Sequence, residues 1–365
     1  MIEVRSPGKL YIAGEYAVVE PGEPAVLVAV DRCLTARLSE STDAGQVRSA
    51  GEQHETVSWT REGRGIAARG ARGGIEVSED YAIAAIAAVE DLRLERGLPP
   101  RYFDINITSD LADASGRKFG LGSSAAVTAA VVSALDEFYD LGLNLVERFK
   151  LAMLASAEVS PRGSGGDLAA SVFGGWIRYS SPDREALRRH RATRGVAATL
   201  ASTEAWAGCG AKRLRPPTGL QLLVGWTGSP ASTENLVERS RRSGSTAPSR
   251  EFLAESRACV DALEASSERG DVGALDAIRR ARRLLRRFGA ESGVEVETEQ
   301  LRELCDAAER HGAAGKPSGA GGGDCGIVLA PEEPAPTGIL REWEAHDIRR
   351  LDLSVHPPLG GIDDF

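Results

Sequence analysis

The chain lacks several features that would place it in a class at once. Its 365 residues hold no run of eighteen apolar positions, so no segment reads as a membrane-spanning helix. The opening stretch MIEVRSPGKLYIAGEY has no basic patch followed by an apolar block, so it does not read as a secretory signal. Cysteine is scarce and dispersed: Cys33, Cys209, Cys259, Cys305 and Cys325 show no Cys-x-x-Cys spacing. That pattern reads as reduced thiols in a cytoplasmic protein and argues against a disulfide framework or a zinc site. The five histidines have no metal-ligand spacing either. Positive charge is also short, with a net charge of -9, which argues against a general nucleic-acid binder. Lysine is the rarest of the charged residues. Of 44 basic residues only Lys9, Lys118, Lys150, Lys212 and Lys316 are lysine. Three of the five border Gly-rich stretches, where a compact ammonium suits a phosphate, against chance placement as the plain alternative.

What is present is ordinary in amount and informative in pattern. Apolar residues make up 42% and charged residues 27%, as in a soluble globular protein with one large or two ordinary domains. The alternation of Val26, Val28 and Val30 predicts a strand over about 26–40, and the polar, Gly-rich stretch 41–75 reads as surface hairpins and loops. DYAIAAIAAVEDLRLERG is expected to be an amphipathic helix stopped by glycine. Phe103, Ile105 and Ile107 share one face of a further strand. Helices are expected at about 125–138 and 144–159. Residues 181–217 show no clear period, and the junction between two domains, 1–212 and 213–365, falls at their end. The second half opens on the strand LQLLVGWTG. Helices are expected there at about 230–242, 250–268, 271–288 and 298–312, before the strand CGIVLA. Strands and helices intermix in both halves, so the fold class is α+β. The run RRARRLLRR on Arg279–Arg287 reads as a solvated helix face that could pair with acidic neighbours, not as a DNA-binding element.

Four short stretches carry the chemistry. In KFGLGSSAAVT, Gly120 and Gly122 let the backbone turn tightly and come close to a ligand. Ser123 and Ser124 open a helix whose free N–H groups and positive dipole end suit an anion. A serine hydroxyl there can also face magnesium. The competing reading is a glycine loop with a plain serine cap. SPRGSGGDLAAS places Asp167 after a tight glycine turn, where a carboxylate can orient a hydroxyl, accept its proton or complement a lysine, or merely cap a helix. SPGKLYIAGEY fixes Lys9 on a stiff turn, and GKPSGAGGGDCG offers amides that could wrap an anion. Together they match what phosphoryl transfer asks of a protein, which is positioning and charge neutralisation.

The order of these stretches, GKLYIAGEY, GLGSSAAVTAA, GSGGDLAAS and KPSGAGGGDCGI, resembles the motifs of the GHMP kinase superfamily from about residue 5 to 330. Within it the details are most similar to the phosphomevalonate kinases. The first motif has Glu-Tyr, at Tyr16, where mevalonate kinases have Glu-His. Arg117-Lys118 precedes the second motif, and VGWTGSPASTENLV opens the second half. The resemblance implies an N-terminal domain like ribosomal protein S5, a ferredoxin-like C-terminal domain and a cleft between them. It implies ATP and Mg2+, with 5-phosphomevalonate as the acceptor giving 5-diphosphomevalonate.

Carried over by position, the resemblance gives catalytic roles to Lys9 and Asp167. Lys118, Gly120, Leu121, Gly122, Ser123, Ser124 and Ala125 would hold the nucleotide. Tyr16, Arg117, Arg162, Ser164, Trp226, Ser229, Ser318, Gly319 and Gly321 would line the acceptor end, though a tryptophan beside a strand is more often core. Ser124 and Glu158 would face the metal, with a plain surface glutamate as the alternative for Glu158. The partners expected are small molecules, with no nucleic acid and no membrane, and a homodimer is left open. Two rivals stand beside this reading: a mevalonate or other small-alcohol kinase on the same scaffold, and a non-catalytic ligand sensor.

Overall fold

A computed structural model describes residues 1–49, 56–63, 65–70, 81–229 and 248–362. Its centre is one long strand. β2 (Pro24–Ser41) has a continuous apolar stretch, Ala25–Val30, that is buried on both faces. β1 (Ile2–Ala13) runs antiparallel along one edge of β2, from Ile2 opposite Leu38 to Ala13 opposite Val26. The other edge is shared: β6 (Tyr102–Ser109) pairs with Leu34–Ser41 and β7 (Trp176–Ser180) with Pro24–Val28. β3 (Gly45–Ser49), β4 (Thr56–Glu62) and β5 (Gly65–Gly70) extend the β6 side, and β8 (Gly210–Leu214) extends the β7 side. Within this sheet β3 and β6 run parallel.

Helices α1 (Tyr81–Glu95), α2 (Ser123–Tyr139), α3 (Leu145–Val159) and α4 (Gly166–Phe173) pack together, with α2 and α4 against β1 and β2. α3 begins with a capping box in which Asn144 and Glu147 satisfy each other's backbone N–H groups. α1 is not the amphipathic helix expected. Ala82–Ile86, Ala88–Glu90, Leu92 and Arg93 are all buried. Its charged residues look like a solvent face in sequence, yet Glu90 takes bonds from Arg61, Arg93 and Tyr139 inside the protein. The stretch 181–217, expected to be without period, holds two helices, α5 (Arg184–Arg194) and α6 (Val196–Ala201).

The second sheet is antiparallel, in the order β10 (Ala314–Pro317), β11 (Cys325–Pro331), β9 (Leu220–Trp226), β12 (Arg349–Leu351). The chain changes sheet between Leu214 and Leu220, so β8 stays with the first sheet. Helices α7 (Arg250–Arg269), α8 (Gly273–Ser292), α9 (Glu299–Arg310) and α10 (Thr337–Ala345) complete this half. The helix expected at 230–242 lies outside the described residues. The arginine run sits on α8 and is paired as expected, with one difference: Arg282 is buried, bonded to Glu297, Asp306 and Glu309. The two halves share apolar packing. Tyr16 and Ala17 from the first motif and Ala320 from the last join Phe252, Leu284, Leu285 and Phe288 in one cluster. That cluster fixes both ends of the chain's functional motifs to the same helices.

Candidate active site

Four loops converge at the start of α2. The first is a turn shaped by Asp113, whose carboxylate accepts from the Ser115 hydroxyl, the Ser115 and Arg117 amides and the Arg117 guanidinium. The Ser115 hydroxyl and the Arg117 bonds hold Asp113 down to about 2. This turn sets Arg117 and Lys118 on an exposed rim, with the Arg117 guanidinium 5.1 Å from the centre of the Trp226 ring. Trp226 itself is buried, edge-on to Phe119 at 5.0 Å.

Gly120 and Gly122 then take φ of 79° and 82°, a region that favours glycine. At Gly122 there is a second constraint. A Cβ there would lie 2.9 Å from Lys9 Cε and 3.4 Å from Asp167 Oδ2. The glycine therefore leaves room for the ammonium and carboxylate behind it. Ser123 and Ser124 form the first turn of α2, with Ser124 exposed.

Lys9 ties three of these parts together. Its backbone N–H donates to the Leu121 carbonyl at 2.9 Å, and its Nζ donates to the Gly120 carbonyl at 3.1 Å. The same Nζ lies 3.5 Å from Asp167 Oδ2, with the lysine side chain 8% exposed and the aspartate 35%. Thus the lysine is held from below while the carboxylate keeps an open oxygen. Asp167 stands in the first turn of α4, two residues after the N-cap Gly165 at φ 78°.

Sequence reasoning missed Tyr11, which stands on the same face of β1 as Lys9. Its hydroxyl shares a hydrogen bond of 2.9 Å with Ser164 Oγ. Its backbone N–H and carbonyl both bond Ser318 Oγ, at 2.9 Å and 3.0 Å. Burial, followed by the nearby Asp167 carboxylate, pushes the Tyr11 pKa well above that of a free phenol, so it stays a neutral donor. The period-two spacing from Lys9 was the available signal.

The third Gly-rich stretch is anchored more than it is free. Lys316, which borders it, is fully buried and bonded to Glu15 and to the Pro317 carbonyl. It is a tie between the first and last motifs, so the phosphate role its position suggested is not where its ammonium points. Tyr16 is likewise buried, and its hydroxyl donates to the Ala320 carbonyl at 2.6 Å. Gly321 packs so close to Val296 that a Cβ would stand 2.0 Å from that carbonyl oxygen. Ser318 and Gly319 keep partial exposure, and Gly319 N–H approaches Glu15 at 3.4 Å.

Asp324, also missed, presses on the Gly120 backbone, where a Cβ would meet its Oδ2 at 2.7 Å. Ser229 is exposed, and its carbonyl accepts the Asp324 N–H at 2.8 Å. Arg162 is exposed on the loop before Asp167. Glu158 lies elsewhere, in a cleft with Asp91, Glu95, Arg188 and Arg191, at 3.4 Å from Arg191 and 3.9 Å from Arg188.

An open helix start, a fixed ammonium, a half-open carboxylate and a cationic rim form one connected group. This is an arrangement for holding a polyanion against a second molecule. Residues 80–175 match the GHMP kinases N terminal domain, and residues 272–348 the GHMP kinases C terminal. The phosphomevalonate kinase of Streptomyces sp. (strain CL190) is 44% identical over 369 residues, covering 98% of this chain and 97% of its own. The chain belongs to the GHMP kinases.

Solved structures agree with this family. The Lin0012 protein of Listeria innocua superposes with a TM-score of 0.88 at 32% identity, over 98% of this chain and 99% of that one. Streptococcus pneumoniae phosphomevalonate kinase, in complex with phosphomevalonate and AMPPNP, gives 0.83 at 28% identity, over 97% and 100%. The two-domain α+β architecture read from the motifs is that of a GHMP kinase. Among the described residues no helix is long and apolar enough to cross a membrane.

Proposed function

We propose that this GHMP kinase transfers the γ-phosphoryl group of ATP to (R)-5-phosphomevalonate, giving 5-diphosphomevalonate and ADP. The observation that carries the chemistry is the Lys9–Asp167 pair, 3.5 Å apart behind Gly122 at the mouth of the nucleotide loop. The full-length likeness to the Streptomyces enzyme carries the choice of acceptor.

In this reading the amides of Gly120–Ala125 and the start of α2 receive the triphosphate. Lys9 neutralises charge on the phosphoryl group in flight. The acceptor is a phosphate monoester whose second pKa lies near 6, so its oxygen is already a nucleophile at neutral pH. Asp167 then orients Lys9 and the acceptor without having to remove a proton. Two polyanions must be brought together, and a like-charge pair at roughly 4 Å costs about 4 kcal/mol at an effective dielectric near 20. Arg117 and Lys118, exposed on the rim, and Arg162, exposed on the loop before Asp167, supply the compensating cations.

Among the described residues no three His, Cys, Asp or Glu side chains gather into a metal site. Mg2+ takes most of its ligands from phosphates and water, and the exposed Ser124 hydroxyl and the partly exposed Asp167 carboxylate would be the protein's oxygen donors to it. The ion would supply charge neutralisation on the triphosphate. The test is a coupled ADP assay with 5-phosphomevalonate and mevalonate side by side. A preference of at least about a hundredfold for the phosphorylated acceptor is expected, since a site built for a charged group rejects an analogue lacking it. Equal or better turnover of mevalonate would assign the chain to the small-alcohol kinases instead.

A further inference from the structure

Behind the loop Ser160–Gly166 lies a charge the mechanism above does not use. Arg184, the first residue of α5, is 7% exposed. Its Nη1 donates to the Gly163 carbonyl at 2.5 Å and its Nη2 to Ser156 Oγ at 3.2 Å. Its Nε is buried and has no hydrogen-bond partner. Among the described residues no carboxylate stands within ion-pair distance of it, and Arg188 adds like charge nearby. Burial lowers its pKa, but a guanidinium remains charged at any working pH. A buried cation without a counter-ion costs free energy, so a role for it is to be sought.

Its one backbone partner suggests that role. Tyr179 does the same for the next residue, its hydroxyl donating to the Ser164 carbonyl at 2.8 Å. Among the described residues the one cis peptide precedes Pro334, so the bonds after Gly163 and Ser164 are trans. In a trans peptide the N–H points opposite to the C=O. Drawing the Gly163 and Ser164 carbonyls inward therefore turns the Ser164 and Gly165 N–H groups outward. Among the described residues neither N–H donates to any acceptor. The Gly166 N–H is spent on Ser164 Oγ at 3.2 Å, and Gly165, at φ 78°, is packed against Met153 and the Tyr179 hydroxyl. Two adjacent outward amides on a clamped turn form a concavity suited to an anion.

We propose that Arg184, together with Tyr179, is a positioning residue that fixes the Ser164 and Gly165 amides as a two-donor cradle for the acceptor's phosphate. The acceptor is then the anion that Arg184 lacks among the described residues. This rests on the acceptor reading given above.

Arg184→Met, Arg184→Lys and Tyr179→Phe test it. Replacing a whole buried ionic group by apolar side chains of similar volume is often neutral or stabilising, and Arg184 has no carboxylate partner among the described residues, so R184M is expected to keep its circular dichroism spectrum. Its KM for 5-phosphomevalonate should rise about tenfold or more, with the KM for ATP within about twofold, as loss of charged hydrogen bonding would give. R184K should recover part of the loss, and Y179F should raise the same KM by a smaller factor. An unchanged acceptor KM, an equal rise for both substrates, or an R184K no better than R184M would overturn the proposal. If R184M does not fold, Y179F decides: a raised acceptor KM supports the cradle and an unchanged one overturns it. If the wild-type protein uses another acceptor, inorganic phosphate serves as the probe with AMPPNP and Mg2+ saturating. A phosphate-induced rise in melting temperature that R184M loses supports the cradle, and one that R184M keeps overturns it.

Discussion

Tyr11 and Ser318 hold each other twice through a single hydroxyl. Ser318 Oγ accepts the Tyr11 N–H at 2.9 Å and donates to the Tyr11 carbonyl at 3.0 Å. A side chain thus pairs with a strand as a backbone would, and it joins the last motif to β1, 307 residues away. Ser318→Ala removes both bonds and leaves the Tyr11 amide without a partner. A loss of roughly 1–3 kcal/mol is expected for such an orphaned buried group. It should appear as a lower melting temperature and, because the loop flanks Lys9, as a lower kcat/KM. A variant with wild-type melting and turnover would show that water replaces the hydroxyl at no cost.

Gly122→Ala tests the close packing around the ammonium. The new methyl would stand 2.9 Å from Lys9 Cε at a φ of 82°. The lysine can move aside more easily than the backbone can, so the damage should fall on catalysis. A fall in kcat of about 10²-fold or more is expected, comparable to misplacing a catalytic group by about 1 Å, with a stability loss of only about 1–2 kcal/mol for the left-handed backbone. Thermal unfolding and steady-state kinetics on one preparation separate the two.

The loops that carry this site were legible because their demands are local. Glycine at positive φ, serine at a helix start and aspartate after a glycine turn each announce themselves within a few residues, as at Gly120, Ser123 and Asp167. What escaped notice was set by tertiary contact. α5 contributes one buried apolar residue, Leu187, and a row of arginines, so no period betrays it. Nothing in REALRRHRATR marks Arg184 as the arginine that turns inward. Glu90 and Arg93 likewise look solvent-facing until Arg61 and Tyr139 arrive from other elements. The same holds for Lys316, whose partner Glu15 lies 301 residues earlier.

Lys9→Met and Asp167→Asn should differ in kind. Removing the ammonium leaves developing charge uncompensated, and a fall in kcat of about 10³-fold is expected. Asp167, in an orienting role, should cost less than the 10²–10⁴-fold typical of a lost general base, roughly tenfold to a hundredfold. The decisive measurement is the pH profile. The acceptor's own ionisation near pH 6 should shape the acid limb of kcat/KM in wild type and D167N alike. An acid limb that vanishes in D167N would make Asp167 the proton acceptor.

Stability should fall on the alkaline side. Burial raises the pKa of Tyr11, Tyr16, Tyr139 and Tyr179, and of Cys33, Cys209, Cys259, Cys305 and Cys325, with Cys209 pushed up to about 12. In the unfolded chain thiols ionise near 8.5 and phenols near 10. Below those values both states hold the proton and these groups leave stability level. Above them the unfolded chain loses protons that the folded chain keeps, so the unfolding free energy falls. Each fully titrating group removes about 1.4 kcal/mol per pH unit. Urea unfolding under reducing conditions should therefore give little contribution from these groups between pH 7 and 8, a decline from about pH 9 and a steeper one past pH 10. Tyr179→Phe should soften the second decline without moving the first. If the decline past pH 10 kept the same slope in a variant lacking these phenols, the buried hydroxyls would not be its cause.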